Sequence, residues 1–269
     1  MPLLYPELYR HRKQRISKRR IYGPPGTVMI LILIAAALLA AALVLCGYTT
    51  IRLPVRREEG KRHVACVGDS VTYGCTLPLF FMNRYPAVLQ RLTGEDVQVA
   101  VFAVNDRTLQ DTGNKPFRKE RASLQSRAFL PETVIILLGT NDSKDCNWIS
   151  AEAFRRQYAE LINEYRDLPS SPRIIICTPP CAFKPVSRFF YITNDAKLDR
   201  IPEIAEEIET VATDEGLELI DLYMLTQGHR ELFGPDGLHP NAAGAKRIAE
   251  AVFRTLCDHS GSGSDKPNC

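Results

Sequence analysis

Val64-Ala65-Cys66-Val67-Gly68-Asp69-Ser70-Val71-Thr72-Tyr73-Gly74 decides how the rest of the chain is read. Its first four residues are an apolar run, the pattern of a buried strand. The run breaks at Gly68-Asp69-Ser70, ordinary turn residues, and a second glycine follows at Gly74. A serine is thereby left at the C-terminal end of a strand, where open parallel sheets place their ligand sites. Taken alone, Ser70 reads equally well as a helix N-cap.

Downstream, apolar runs alternate with segments of helical periodicity. Strands are expected at 63–67, 97–104, 133–138, 173–177 and 217–222. Helices are expected at 85–92, 151–168, 201–215 and 242–256, each with apolar residues three and four apart. Five apolar strands with intervening helices predict an α/β domain at 63–257, with a five-stranded parallel sheet covered on both faces.

Upstream, residues 1–27 form a basic segment, and Val28 to Cys46 is a run of 19 residues without a charge. With Gly47 and Tyr48 it predicts one transmembrane signal anchor at 28–48. The basic block then places the N-terminus in the cytoplasm and the domain outside, as a single-pass membrane protein. A cleaved signal peptide and a lipoprotein modified at Cys46 are the lesser alternatives. Residues 49–62 read as a polar tether, and the Gly/Ser-rich 258–269 as a disordered tail. Residues 1–62 hold 12 basic and 3 acidic side chains, and the remainder 22 basic and 28 acidic. Positive charge thus belongs to the N-terminus, and a nucleic-acid partner is not expected.

Of eight cysteines, Cys66 and Cys177 lie in apolar strands and read as buried small hydrophobes. Cys75, Cys146 and Cys181 each follow a strand on the same edge of the sheet, where a disulfide between two of them is one option. No spacing suggests a metal site.

Two further stretches carry chemistry. Leu138-Gly139-Thr140-Asn141-Asp142 follows the third strand, and Asp236-Gly237-Leu238-His239-Pro240-Asn241 precedes the last helix. His239 is the base that could activate a Ser70 hydroxyl, and Asp236, three residues before it, could orient its ring. Asn141 is a neutral amide donor suited to a developing oxyanion.

GDSVTYG, GTNDS and DGLHPN together resemble the blocks of the SGNH-hydrolase superfamily, the GDSL-type esterases and lipases, in matching order. The resemblance implies a flavodoxin-like three-layer α/β/α sandwich preceded here by the transmembrane helix. It implies Ser70 as nucleophile, with Asp236 and His239 completing the triad and no metal or organic cofactor. The oxyanion hole would use the Ser70 N–H, the Asn141 amide and the N–H of a residue after the second strand. At that last position the family carries glycine, and this chain has Asp106. A carboxylate there must be turned away or neutralised, and Arg107 is its adjacent partner, with Asn105 and Thr108 able to hold it by local hydrogen bonds. The expected function is a membrane-anchored serine esterase acting on acyl or acetyl esters of small molecules, carbohydrates or lipids. The rivals are a weakly or non-catalytic glycan- or acyl-binding module and an O-acyltransferase.

Overall fold

The computed structural model of the 269-residue chain describes residues 25–45, 55–186 and 195–258. The chain divides into two compact units between Ala41 and Ala42. In the second unit five strands form one parallel sheet in the order β2-β1-β3-β4-β5. They are β1 (Arg62–Gly68), β2 (Val97–Ala103), β3 (Thr133–Leu137), β4 (Arg173–Cys177) and β5 (Glu218–Ile220). The five expected strands are all present. β5 is shorter than expected because Asp221 ends it, capping the next helix and accepting a hydrogen bond from Thr178 Oγ1.

Alternate residues of each strand enter one of two apolar clusters, one per face. Ala65, Val67, Ile136 and Ile176 pack under α5 (Arg121–Ala128), α6 (Ala151–Arg166) and α7 (Arg200–Glu215). Val64, Cys66, Ile135, Leu137 and Cys177 pack under α4 (Tyr85–Thr93) and α9 (Ala242–Asp258). The result is the expected three-layer sandwich. Short helices α2 (Ser70–Tyr73), α3 (Phe80–Asn83) and α8 (Leu222–Thr226) follow strand ends. The strand order reverses at β1, so the crevice beyond the C-terminal ends of β1 and β3 is where a ligand is expected.

Helix α1 (Pro25–Leu45), whose residues up to Ala41 belong to the first unit, carries no charged residue. The side chains described on it, 26–42, are all exposed. Among the described residues no helix is long and apolar enough to cross a membrane. This corrects the expected transmembrane helix at 28–48, and with it the membrane partner and the single-pass, extracellular localisation. The basic residues 1–24, Cys46, the stretch 46–54 and the tail 259–269 lie outside the described residues. The described end of the expected tether is pinned to the domain: Gln98 Oε1 accepts from the Glu58 N–H at 2.8 Å, and its Nε2 donates to the Arg56 carbonyl at 2.7 Å.

Candidate active site

Ser70 is the first residue of α2, immediately beyond β1. The helix is capped by Asp69 rather than by the serine: Asp69 Oδ1 accepts from the Val71 N–H at 2.9 Å. The Ser70 hydroxyl is therefore free for other work. Gly68 is required by close approach, since a Cβ there would lie 2.2 Å from Thr72 Oγ1 and 2.5 Å from the Leu137 carbonyl. The turn is thereby drawn tight against β3.

Asp236 and His239 sit on the loop that leads into α9, and the backbone closes that loop on itself. The Gly234 N–H donates to the His239 carbonyl at 2.8 Å, and Phe233 bridges Pro240. Asn241 Oδ1 then accepts from the N–H groups of Ala243 and Gly244 at the start of α9. Within the loop, Asp236 Oδ1 accepts from the N–H groups of Leu238 and His239, each at 3.0 Å. Its other oxygen accepts from His239 Nδ1 at 2.6 Å. Burial alone would raise the Asp236 carboxyl, but His239 and the two N–H groups outweigh it and hold it below the usual range.

With Nδ1 donating to a carboxylate, Nε2 is left as the acceptor. Ser70 Oγ lies 2.9 Å from that nitrogen. The three residues expected from sequence are therefore one hydrogen-bonded chain, although 169 residues separate Ser70 from His239. Both Ser70 and Asp236 are more than nine-tenths buried.

The two expected donor residues beside Ser70 lie on loops that are bound together. Asn141 stands on the turn Thr140–Ser143 after β3. Its Nδ2 donates to Asp69 Oδ2 at 3.2 Å and to the Arg107 carbonyl at 3.1 Å. Next to it, Asp142 is fully buried and accepts from the N–H groups of Leu109 and Gln110 at 2.8 and 2.9 Å. Burial lifts this carboxyl to about 6, against the pull of those hydrogen bonds. Asp142 thus holds the loop after β2, a role that sequence reading did not assign; the only signal was its place beside Asn141 in GTNDS.

Asp106, expected from the resemblance to stand at the family's glycine position, has φ +64°, in the left-handed region. Its carboxylate is paired with Lys115 and Lys144, each at 2.5 Å. The adjacent Arg107 is not its partner, because that side chain turns to Glu120 at 2.7 Å and to the Asn105 carbonyl at 2.8 Å. Burial would raise the Asp106 carboxyl, yet the lysines hold it below its ordinary value. Among the described residues the N–H groups of Ser70 and Asp106 have no acceptor.

The described part of the loop after β4 is bonded to the loop that carries Asp236 and His239. The Phe183 N–H donates to the Gly237 carbonyl at 2.8 Å, and the Val186 N–H to the Pro235 carbonyl at 2.9 Å. Gly237 has φ +73°, and a Cβ there would lie 2.2 Å from the Phe183 carbonyl. Cys75, Cys146 and Cys181 are free thiols, so no disulfide joins them.

Comparison with known proteins accords with this geometry. The GDSL-like Lipase/Acylhydrolase family matches residues 66–247. An acetylxylan esterase of Xylanibacter ruminicola is 36% identical over 221 residues, which cover 76% of this chain. The chain spans just under half of that relative, 45% of its length. An aryl esterase of M. smegmatis superposes with a TM-score of 0.60 at 20% identity, covering 72% of this chain and 98% of the other. A carbohydrate acetylesterase family member from Sinorhizobium meliloti gives 0.59 at 20% identity, covering 74% and 99%. At such identities these two structures establish the fold.

Proposed function

From the premise that the chain belongs to the GDSL-like lipase/acylhydrolase family and is a GDSL-type carboxylic ester hydrolase, we propose that it deacetylates carbohydrates through an acyl-enzyme on Ser70. The observation that carries the reading is the unbroken chain from Asp236 through His239 to Ser70, at 2.6 and 2.9 Å.

In acylation, His239 Nε2 takes the Ser70 proton as Oγ attacks the ester carbonyl. Asp236 stabilises the imidazolium that forms. The negative charge developing on the carbonyl oxygen is met by the N–H groups of Ser70 and Asp106, which have no other acceptor among the described residues. Asn141 supplies the third donor by yielding one of its two long hydrogen bonds. His239 then gives its proton to the departing sugar hydroxyl. A water, deprotonated by the same nitrogen, releases the acid.

The acetylated-carbohydrate assignment draws on the 36% identity to an acetylxylan esterase. The test compares acetylated xylo-oligosaccharides with p-nitrophenyl esters of increasing chain length. Release of acetate from the sugar with kcat/KM above that for any longer acyl ester is expected. A preference for long acyl chains overturns the substrate class. Failure of a fluorophosphonate probe to label Ser70 overturns the catalytic reading and favours a binding module.

A further inference from the structure

Asp106 is a non-glycine residue in a left-handed conformation at the point where the oxyanion reading needs a backbone donor. Two ammonium groups converge on it from separate segments. Lys115 is braced close to its own target: the Thr108 N–H donates to the Lys115 carbonyl at 3.1 Å, and Thr108 bridges Pro116. Lys144 directly follows the turn that carries Asn141. Its side chain is only 15% exposed, so its charge is largely withdrawn from solvent, and it also meets Asp195 at 3.1 Å.

The Asn141 amide bond to the Arg107 carbonyl and the Asp142 bonds to Leu109 and Gln110 join the same loops from the other side. The loop bearing Asp106 is therefore tied on both flanks to the turn bearing Asn141. A pair of surface ion pairs contributes little to stability in general. What a two-point clamp can do is fix the direction of one carboxylate, and through it the peptide that carries it.

Resting on the oxyanion reading, we infer that Lys115 and Lys144 are positioning residues that act through Asp106. They hold its carboxylate out of the hole and its backbone in the left-handed conformation, so that its N–H serves a site the family builds with glycine. Glycine adopts that conformation without help. A chain with glycine at 106 has no use for the clamp.

The test is a set of steady-state measurements on p-nitrophenyl acetate with the full chain. Lys115→Met/Lys144→Met in the parent background is expected to lower kcat by about tenfold or more, with KM within about threefold. Lys144→Arg should recover most of the turnover lost in Lys144→Met. In an Asp106→Gly background the same double lysine change should alter kcat by less than about threefold. If Asp106→Gly does not fold, as judged by its thermal transition, Asp106→Asn serves as the background, because asparagine also tolerates left-handed backbone. An equal loss in both backgrounds would place the lysines on the substrate or elsewhere and overturn the inference, as would an unaltered kcat in the parent. Ser70→Ala is measured beside them. If it is inactive while the lysine effects are independent of background, the clamp alone fails; if it stays active, the esterase reading fails and takes the clamp with it.

Discussion

Asp69 Oδ2 lies 3.2 Å from Asn141 Nδ2, so the residue before the nucleophile is bonded to the amide assigned to the oxyanion. The amide's orientation is fixed by the Arg107 carbonyl, which can only accept and takes the same nitrogen at 3.1 Å. Asp69 is wholly buried, and its other oxygen caps α2. One side chain thereby positions both Ser70 and Asn141.

That arrangement makes stability depend on pH. Burial pushes the Asp69 carboxyl up to about 7, with the Val71 N–H and the His239 charge pulling the other way and Asp142 and Asp106 adding to the rise. Asp142 is likewise lifted to about 6 by burial. An unfolded carboxyl titrates near 3.9. Between about 4 and 7 the folded state therefore holds protons that the unfolded state has released, and stability falls as pH rises through that window. The denaturant midpoint should be lower at pH 8 than at pH 5. Asp69→Asn should flatten part of this slope; an unchanged slope would show that Asp69 is ionised throughout.

Asp236→Asn should retain the fold and lose turnover by roughly 10³–10⁴. An amide can still accept from the N–H groups of Leu238 and His239. It cannot stabilise an imidazolium, and its NH₂ favours the tautomer with a bare Nδ1. A loss smaller than about tenfold, read from kcat on p-nitrophenyl acetate, would remove Asp236 from the reaction.

Gly68→Ala should destabilise the domain by about 1–3 kcal/mol through overpacking. The added methyl would meet the Leu137 carbonyl, which is backbone, as well as Thr72 Oγ1. Trimming Thr72 should therefore not restore stability. A thermal midpoint unmoved by Gly68→Ala would mean that β1 and β3 can part at their ends.

The sheet was legible because its strands are runs of apolar residues, as at Ile135 and Ile175, and the long helices because their stripes recur at helical spacing. Helix α5 carried no such signal: it buries Ala122, Ser123 and Ser126, small or polar residues that form no apolar stripe. The hydrogen-bonded grouping of Ser70, His239 and Asp236 was legible because the three side chains stand in two short motifs. The membrane anchor was read from one uncharged run and the basic block before it, whereas among the described residues no helix is long and apolar enough to cross a membrane. The partners of Asp106 were missed for a different reason. Lys115 and Lys144 are 9 and 38 residues away along the chain, and proximity in sequence pointed to Arg107 instead.

Backbone tolerance, rather than charge, should rank substitutions at Asp106. A carboxylate about 5 Å from an oxyanion, at an effective dielectric near 20, would repel it by roughly 3 kcal/mol. One oxyanion donor is worth about 2.7–4 kcal/mol. The two are comparable, so a carboxylate aimed into the hole would cancel the donor beside it. Lys115 and Lys144 neutralise this carboxylate, which leaves little repulsion to relieve. Asp106→Asn should therefore change kcat by less than about tenfold, or about 1.4 kcal/mol. At φ +64° a side chain without local hydrogen bonds costs about 1–2 kcal/mol, and a β-branched one more. The expected order of kcat on p-nitrophenyl acetate is Asp106→Gly and Asp106→Asn above Asp106→Ala, with Asp106→Val last. If Asp106→Asn instead rose a hundredfold, the carboxylate would have been opposing the oxyanion despite its lysines. An order that followed side-chain volume, with Asp106→Ala above Asp106→Asn, would show that the N–H at this position takes no part in the hole.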